Sequence, residues 1–162
     1  MPDNEKYEMV VLGSGEAGKY LAWTLAKNGH RTALLERDAL GGGCPNVACL
    51  PSKNLIHSVK VASLVRRGPE FGIFADSVRI DMAVTQGHKR QMVAGLHQMH
   101  VDRTRANGAE LIFGEGRFTA PAIIEVALKA GGVRRITVKR YFSRSAHAQA
   151  CPTCRDSSKR VR

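Results

Sequence analysis

The sequence predicts an α/β fold in which a parallel sheet carries an antiparallel β-meander beside it. Three observations lead there. Residues 7–36 read strand–helix–strand, with a glycine-rich turn after the first strand. Two longer helical patterns then precede a further apolar run at 110–113. Short alternating segments between 117 and 138, split by Pro121 and by Gly131-Gly132, make the meander.

Taken in order, residues 7–12 form an apolar run that stops at Gly13, as a buried strand does. A helix is predicted over 16–28 from Leu21, Trp23, Thr24 and Leu25, and Gly29 stops it. Residues 31–36 are the second strand, and a β–α–β unit sets the two strands parallel. Residues 38–46 read as loop around Gly41, Gly42 and Gly43. A helix is expected over 49–67, with Leu50, Ile56, Val59, Ala62 and Leu64 mainly on one side, ended by Gly68-Pro69. Asp81 suits the cap of a long helix reaching Asn107-Gly108, with Met82, Met92, Leu96 and Met99 as its stripe. The meander strands are 117–120, 123–128 and 135–138, and after about Lys139 the pattern dissolves. The expected division is a domain over 1–139 and a basic tail over 140–162 that is disordered or frame-shifted.

Charge separates the same two parts. The formal net charge is +11, but residues 1–133 hold 16 Lys/Arg against 13 Asp/Glu. Residues 134–162 hold 9 Lys/Arg and only Asp156. The body is nearly balanced, which speaks against nucleic acid as a partner. No run of eighteen apolar residues suggests a membrane span, and Met1-Pro2-Asp3-Asn4-Glu5-Lys6 is not a secretory start, so a cytoplasmic protein is expected. Cys151 and Cys154 with His147 make three zinc ligands where four are usual, so no metal site is expected. His30, His57, His88, His97 and His100 fit no nucleophile or metal spacing and read as surface or boundary residues.

Gly13-Ser14-Gly15-Glu16-Ala17-Gly18 is G-x-G-x-x-G, placed between a strand and a helix in a Rossmann-like setting. Gly13 permits the tight turn, Gly15 lets a diphosphate approach the backbone, and Gly18 lets the helix pack close to the strand. Free N–H groups and the dipole at that helix start attract the anion. Glu36 ends the second strand eighteen residues after Gly18, where a carboxylate accepts hydrogen bonds from ribose hydroxyls. Arg37 follows it. These features suit FAD and NAD alike.

The second motif is Gly41-Gly42-Gly43-Cys44-Pro45-Asn46-Val47-Ala48-Cys49-Leu50-Pro51-Ser52-Lys53. Five residues of regular helix rise roughly 7.5 Å and turn two side chains to different faces. A disulfide needs Cα atoms closer than about 7 Å, so a bonded Cys44–Cys49 pair excludes regular helix between them. Pro51 suits a helix's first turn, and Cys49 then lies at the helix start, where the dipole favours a thiolate. By spacing alone, two buried structural cysteines remain an open reading.

The full string resembles the redox motif G-G-T-C-x-N-x-G-C-x-P-S-K of the class I pyridine nucleotide–disulfide oxidoreductases, which include dihydrolipoyl dehydrogenase, glutathione reductase and mercuric reductase. Gly43 stands where Thr is usual and Ala48 where Gly is usual; the cysteines, Asn46, Pro51, Ser52 and Lys53 match. The resemblance covers about residues 7–138. It implies an FAD-binding domain, with Cys44 as the interchange thiol and Cys49 as the thiol against the flavin. It places Lys53 near the flavin, and Gly13, Ser14, Gly15, Glu16, Ala17, Gly18, Glu36, Arg37, Gly42, Gly43 and Cys44 around the cofactor. Gly116, in Gly114-Glu115-Gly116, matches a glycine beside the adenine.

The family's members are roughly three times as long. They go on to a strand ending in an A-T-G-x-x-P-like turn, an NAD(P)H domain, and a dimerisation domain supplying a His-Glu pair. None of these is expected here, which makes the chain read as truncated, with a change of frame or an early end near residue 139. The resemblance implies a disulfide, quinone or metal-ion substrate and, for full-length members, NAD(P)H and a homodimer. The competing reading is a flavin- or nucleotide-binding remnant without catalysis.

Overall fold

A computed structural model describes residues 5–143. Its elements are β1 (Glu5–Leu12), α1 (Glu16–Lys27), β2 (Thr32–Glu36), α2 (Gly43–Asn46) and α3 (Cys49–Arg66). A 3-10 turn (Gly68–Phe71), α4 (Met82–Ala106), β3 (Glu110–Ala120), β4 (Ile123–Leu128) and β5 (Val133–Ser143) follow. The parallel β1–β2 pair has Met9 opposite Thr32 and Leu12 opposite Leu35, as the strand–helix–strand reading requires. Asp81 caps α4 by accepting the N–H groups of Ala83 and Val84. This satisfies donors that the helix itself cannot.

The meander is not a separate layer. The first half of β3 pairs parallel with β2, and its second half pairs antiparallel with β4. β5 pairs antiparallel with β4 and parallel with β1, so the five strands close into a barrel. Two runs expected as distinct strands, 110–113 and 117–120, are therefore one long strand that changes partner midway. β5 also runs through Ser143, where a strand ending at 138 and a tail from 140 were expected. Arg140, Tyr141, Phe142 and Ser143 pair with Met9 to Leu12. The alternation that marks a half-buried strand is missing there, but the β1 edge supplies the hydrogen bonds. The rest of the proposed tail, with Cys151, Cys154 and His147, lies outside the described residues.

Period-2 alternation divides the core. Ala33 and Leu35 point into the barrel with Ile112, Ile124, Val126, Ile136 and Val138. Leu34 points the other way, with Val11, and packs against Ala22 of α1 and Val101 of α4. The helical stripes depart from expectation. Ile56, Val59 and Leu64 of α3 are exposed, as are Met82 and Met99 of α4. Only Pro51 is buried on α3, and the buried residues of α4 are His100, Val101 and Thr104 near its end. The domain covers α3 near its start, so an apolar stripe along that helix does not mark its packed face. Among the described residues, no helix is long and apolar enough to cross a membrane.

A polar clasp holds the barrel where β1, β3 and β5 meet. The Arg134 guanidinium donates to both Glu5 oxygens and to the Tyr7 hydroxyl, and pairs with Glu110 at 2.8 Å. Tyr7 donates to Glu110 at 2.5 Å. The Arg134 hydrogen bonds hold the Glu5 carboxyl below its ordinary value. Burial and the two carboxylates push the Tyr7 hydroxyl up. A carboxyl lowered by folding stabilises the fold above its ordinary value of 4.5, and that contribution is lost as pH falls through the lowered value. Arg134→Met is expected to cost roughly 2 kcal/mol at neutral pH, since it strips charged hydrogen bonds from two carboxylates. It should also flatten the acid limb of the stability curve. Urea midpoints of both proteins across pH 3–7 test this, and parallel curves would refute the role of Glu5.

Candidate active site

The glycine turn lies at the carboxyl ends of β1 and β2, where the Gly13 N–H donates to Leu35 O at 2.8 Å. Gly13 has φ 93°, a left-handed conformation that favours glycine. A Cβ on Gly18 would stand 2.1 Å from the Gly13 carbonyl oxygen, so helix and strand touch there as the motif demands. A Cβ on Gly15 would meet no protein atom within 4 Å. Gly15 caps α1 without a side chain, which leaves the helix's first N–H groups without side-chain acceptors. Glu16 and Ala17, the next two residues, are exposed.

Ser14 is fully buried and ties three segments together. Its N–H and hydroxyl donate to Glu36 Oε2 at 3.0 and 2.5 Å, and its Oγ accepts the Gly41 N–H at 2.9 Å. Glu36 Oε1 accepts the Asp38 N–H at 2.9 Å. Glu36 therefore sits at the turn, as expected, but it also has an architectural task that spacing does not reveal. A carboxylate has about four acceptor positions, so it retains one for a further donor. Arg37 is exposed beside it.

The cysteine string forms two helical pieces with a break. α2 is one turn, Gly43–Asn46. Val47 and Ala48 leave helical geometry (Ala48 φ −116°, ψ −97°), and α3 starts at Cys49. Asn46 holds the loop by donating to Leu40 O and Gly42 O at 3.1 and 2.7 Å. The Ser52 hydroxyl donates to Ala48 O and Cys49 O, fastening the first turn of α3. This is the irregular backbone that a Cys44–Cys49 pair needs. Both cysteines are free, Cys44 half-buried and Cys49 exposed. The Cys49 thiol beside it, then burial and the nearby Glu16, push the Cys44 thiol up, while the Lys53 ammonium opposes the rise. Lys53 itself is exposed.

Turn and thiol loop are in contact. Gly42 has φ 74°, and a Cβ there would lie 2.8 Å from Gly15 Cα. The dithiol is thus carried on a loop laid over the glycine turn. At Gly116 a Cβ would be 2.9 Å from both Leu12 and Leu35, so barrel packing also calls for glycine there.

Sequence reasoning missed one cluster. Lys19 is 2% exposed, and its Nζ lies 2.7 Å from Glu16 Oε1 and 3.1 Å from His100 Nε2. His100 is buried at 5% exposure, which corrects its reading as a surface or boundary residue. Burial, with the Lys19 charge, holds its imidazole below the ordinary value. A signal existed: Lys19 falls between Gly18 and Ala22 on the inward face of α1.

Residues 7–142 match the family described as pyridine nucleotide-disulphide oxidoreductase. Dihydrolipoyl dehydrogenase of Chlamydia pneumoniae is 34% identical over 75% of this chain and 26% of the relative. Mercuric reductase of Bacillus cereus is 28% identical over 92% of this chain and 23% of the relative. Among solved structures, the Cu(II) complex of the HOCl-induced flavoprotein disulfide reductase RclA from Escherichia coli superposes with a TM-score of 0.69. It is 27% identical, over 87% of this chain and 29% of that one. The chain spans about a quarter of the length of these relatives. Matched along most of its own length, it belongs to the pyridine nucleotide-disulphide oxidoreductase family.

Proposed function

We propose that this chain holds FAD on the Gly13–Gly18 turn and cycles Cys44 and Cys49 between dithiol and disulfide. It would be the flavin-binding part of an FAD-dependent NAD(P)H:disulfide or metal-ion reductase. The observation that carries the reading is the contact of Gly42 with Gly15, which joins the thiol loop to a turn built for a diphosphate. When bound, FAD supplies two-electron redox chemistry at the dithiol. The N–H groups at the start of α1 would hold the diphosphate, and Glu36 would accept from a ribose hydroxyl through its remaining lone pair. Gly42, Gly43 and Lys53 would lie along the flavin side, and Gly116 near the adenine.

Cys44 would be the thiol that meets substrate, and Cys49 the thiol against the flavin. Its relatives' names suggest a small disulfide such as lipoamide, or mercuric ion, as substrate; a quinone is a third choice. NAD(P)H and a homodimer belong to the same proposal. A cytoplasmic setting suits a pair that must return to thiols, because that compartment keeps cysteines reduced.

Gly15→Ala tests the cofactor reading without disturbing the fold, since a Cβ there meets open space at a negative φ of −55°. The methyl would stand where the diphosphate approaches. FAD titration followed by flavin fluorescence should show affinity about tenfold weaker, or about 1.4 kcal/mol. Equal affinity of the two proteins, or no FAD binding by the parent chain, would refute the assignment.

A further inference from the structure

We propose that the contact between Lys19 and His100 is an acid-operated latch. It holds α4 against α1 while His100 is neutral, and it opens when the imidazole takes up a proton.

The latch is one buried hydrogen bond. Lys19 and His100 are both buried, and Lys19 Nζ lies 3.1 Å from His100 Nε2. An ammonium only donates, so Nε2 must accept, and the imidazole is neutral with its proton on Nδ1. A second proton on the ring would replace this attraction by two cations in contact, where water screens them poorly. The charged and titratable groups that face His100 are Lys19 and Glu16 from α1 and His97 and Arg103 from α4. Of these only Glu16 favours an imidazolium, and its Oε1 is held by Lys19 at 2.7 Å. The loop side presents Gly41, which brings no charge: a Cβ there would lie 2.9 Å from His100 Nδ1.

The joint around this bond is small enough to give. The buried residues of α4 are His100, Val101 and Thr104, all near its end. Val101 packs with Val11, Ala22 and Leu34, and Thr104 Oγ1 accepts from Trp23 Nε1 at 2.9 Å. Among the described residues His100 Nδ1 has no hydrogen-bond partner, so the closed latch already carries one unsatisfied polar group. Opening hands that N–H, and the incoming proton, to water. Burial, then the Lys19 charge, hold His100 below its ordinary value of 6.5, so the closed joint is fully favoured above that pH and loses ground below it. Each further unit of pH multiplies the open population by up to about tenfold, until the latched imidazole itself takes a proton.

Trp23 reads the joint directly. It is the chain's single tryptophan, buried on α1, with its ring centroid 6.1 Å from that of His100. In the full chain, lowering the pH from about 7.5 to about 5 should shift Trp23 emission to the red and make acrylamide quench it about twofold more strongly, with far-UV circular dichroism unchanged. Emission position and quencher access are the readouts, because a nearby imidazolium dims an indole without any movement. The His100 ring proton, followed by NMR, should titrate with the same midpoint. His100→Gln keeps an acceptor for Lys19 but takes no proton, and should leave both Trp23 signals flat over that range. Lys19→Met removes the opposing cation and should weaken the response; it decides the matter if His100→Gln fails to fold at pH 7.5. A parent signal that stays flat to pH 5 would overturn the proposal. So would a folded variant that follows the parent's curve, or a His100 midpoint that differs from that of Trp23.

Discussion

Changing either Cys44 or Cys49 to serine is expected to abolish closure of the dithiol completely. The parent chain, treated with diamide, should lose two hydrogens from the segment 38–53: two S–H bonds break, one S–S bond forms, and diamide takes up the two electrons and two protons. The neighbouring thiols and the helix break at Val47-Ala48 make this a local event. Closure should speed up as pH rises toward the raised value of Cys44, since thiolate is the attacking form. Neither serine should alter thermal stability by more than about 0.5 kcal/mol, because Cys49 is exposed and Cys44 half-buried. A parent chain that keeps both hydrogens, or a serine variant that still loses two within this segment, would remove the pair from the chemistry.

Gly18→Val should unfold the turn and lower stability by at least about 3 kcal/mol, since over-packing against rigid backbone has no outlet. The new Cβ would sit 2.1 Å from the Gly13 carbonyl oxygen and 3.3 Å from Val11. Relief requires moving α1 off the sheet, which uncovers Val11, Ala22 and Leu34 and breaks the Lys19–His100 contact. Far-UV circular dichroism on heating reports the loss. Melting at the parent temperature would mean that helix and strand do not meet here as described. The contrast with Gly15→Ala is informative, because the two glycines serve the same motif but only Gly18 is packed.

Features set by local chemistry were legible in the sequence. The Gly13–Gly18 turn follows from backbone freedom at specific positions, and the strand–helix–strand order follows from hydrophobic period. The break between Cys44 and Cys49 is what a distance limit on five residues demands of a pair that bonds. Features set by partners far along the chain were not. Residues 139–143 lack alternation, yet they form a strand because the free edge of β1 accepts them. Ile56, Val59 and Leu64 show a helical stripe, yet within the described residues it stays exposed. His100 has no local signature of burial; it is interior because α4 crosses α1 at Lys19.

By itself, then, the sequence determined a glycine turn between strand and helix, an acid at the end of the second strand and two cysteines whose pairing would exclude regular helix between them. Each depends only on residues within a few positions of one another. The tertiary structure alone decided that the meander closes onto β1 as a barrel, that Gly116 is demanded by packing against Leu12 and Leu35, and that Lys19 and His100 are buried together behind the thiol loop. Those outcomes depend on which surfaces meet across as many as 131 positions of chain, from Glu5 to its partner Ile136, and hydrophobic period cannot encode the identity of so distant a partner.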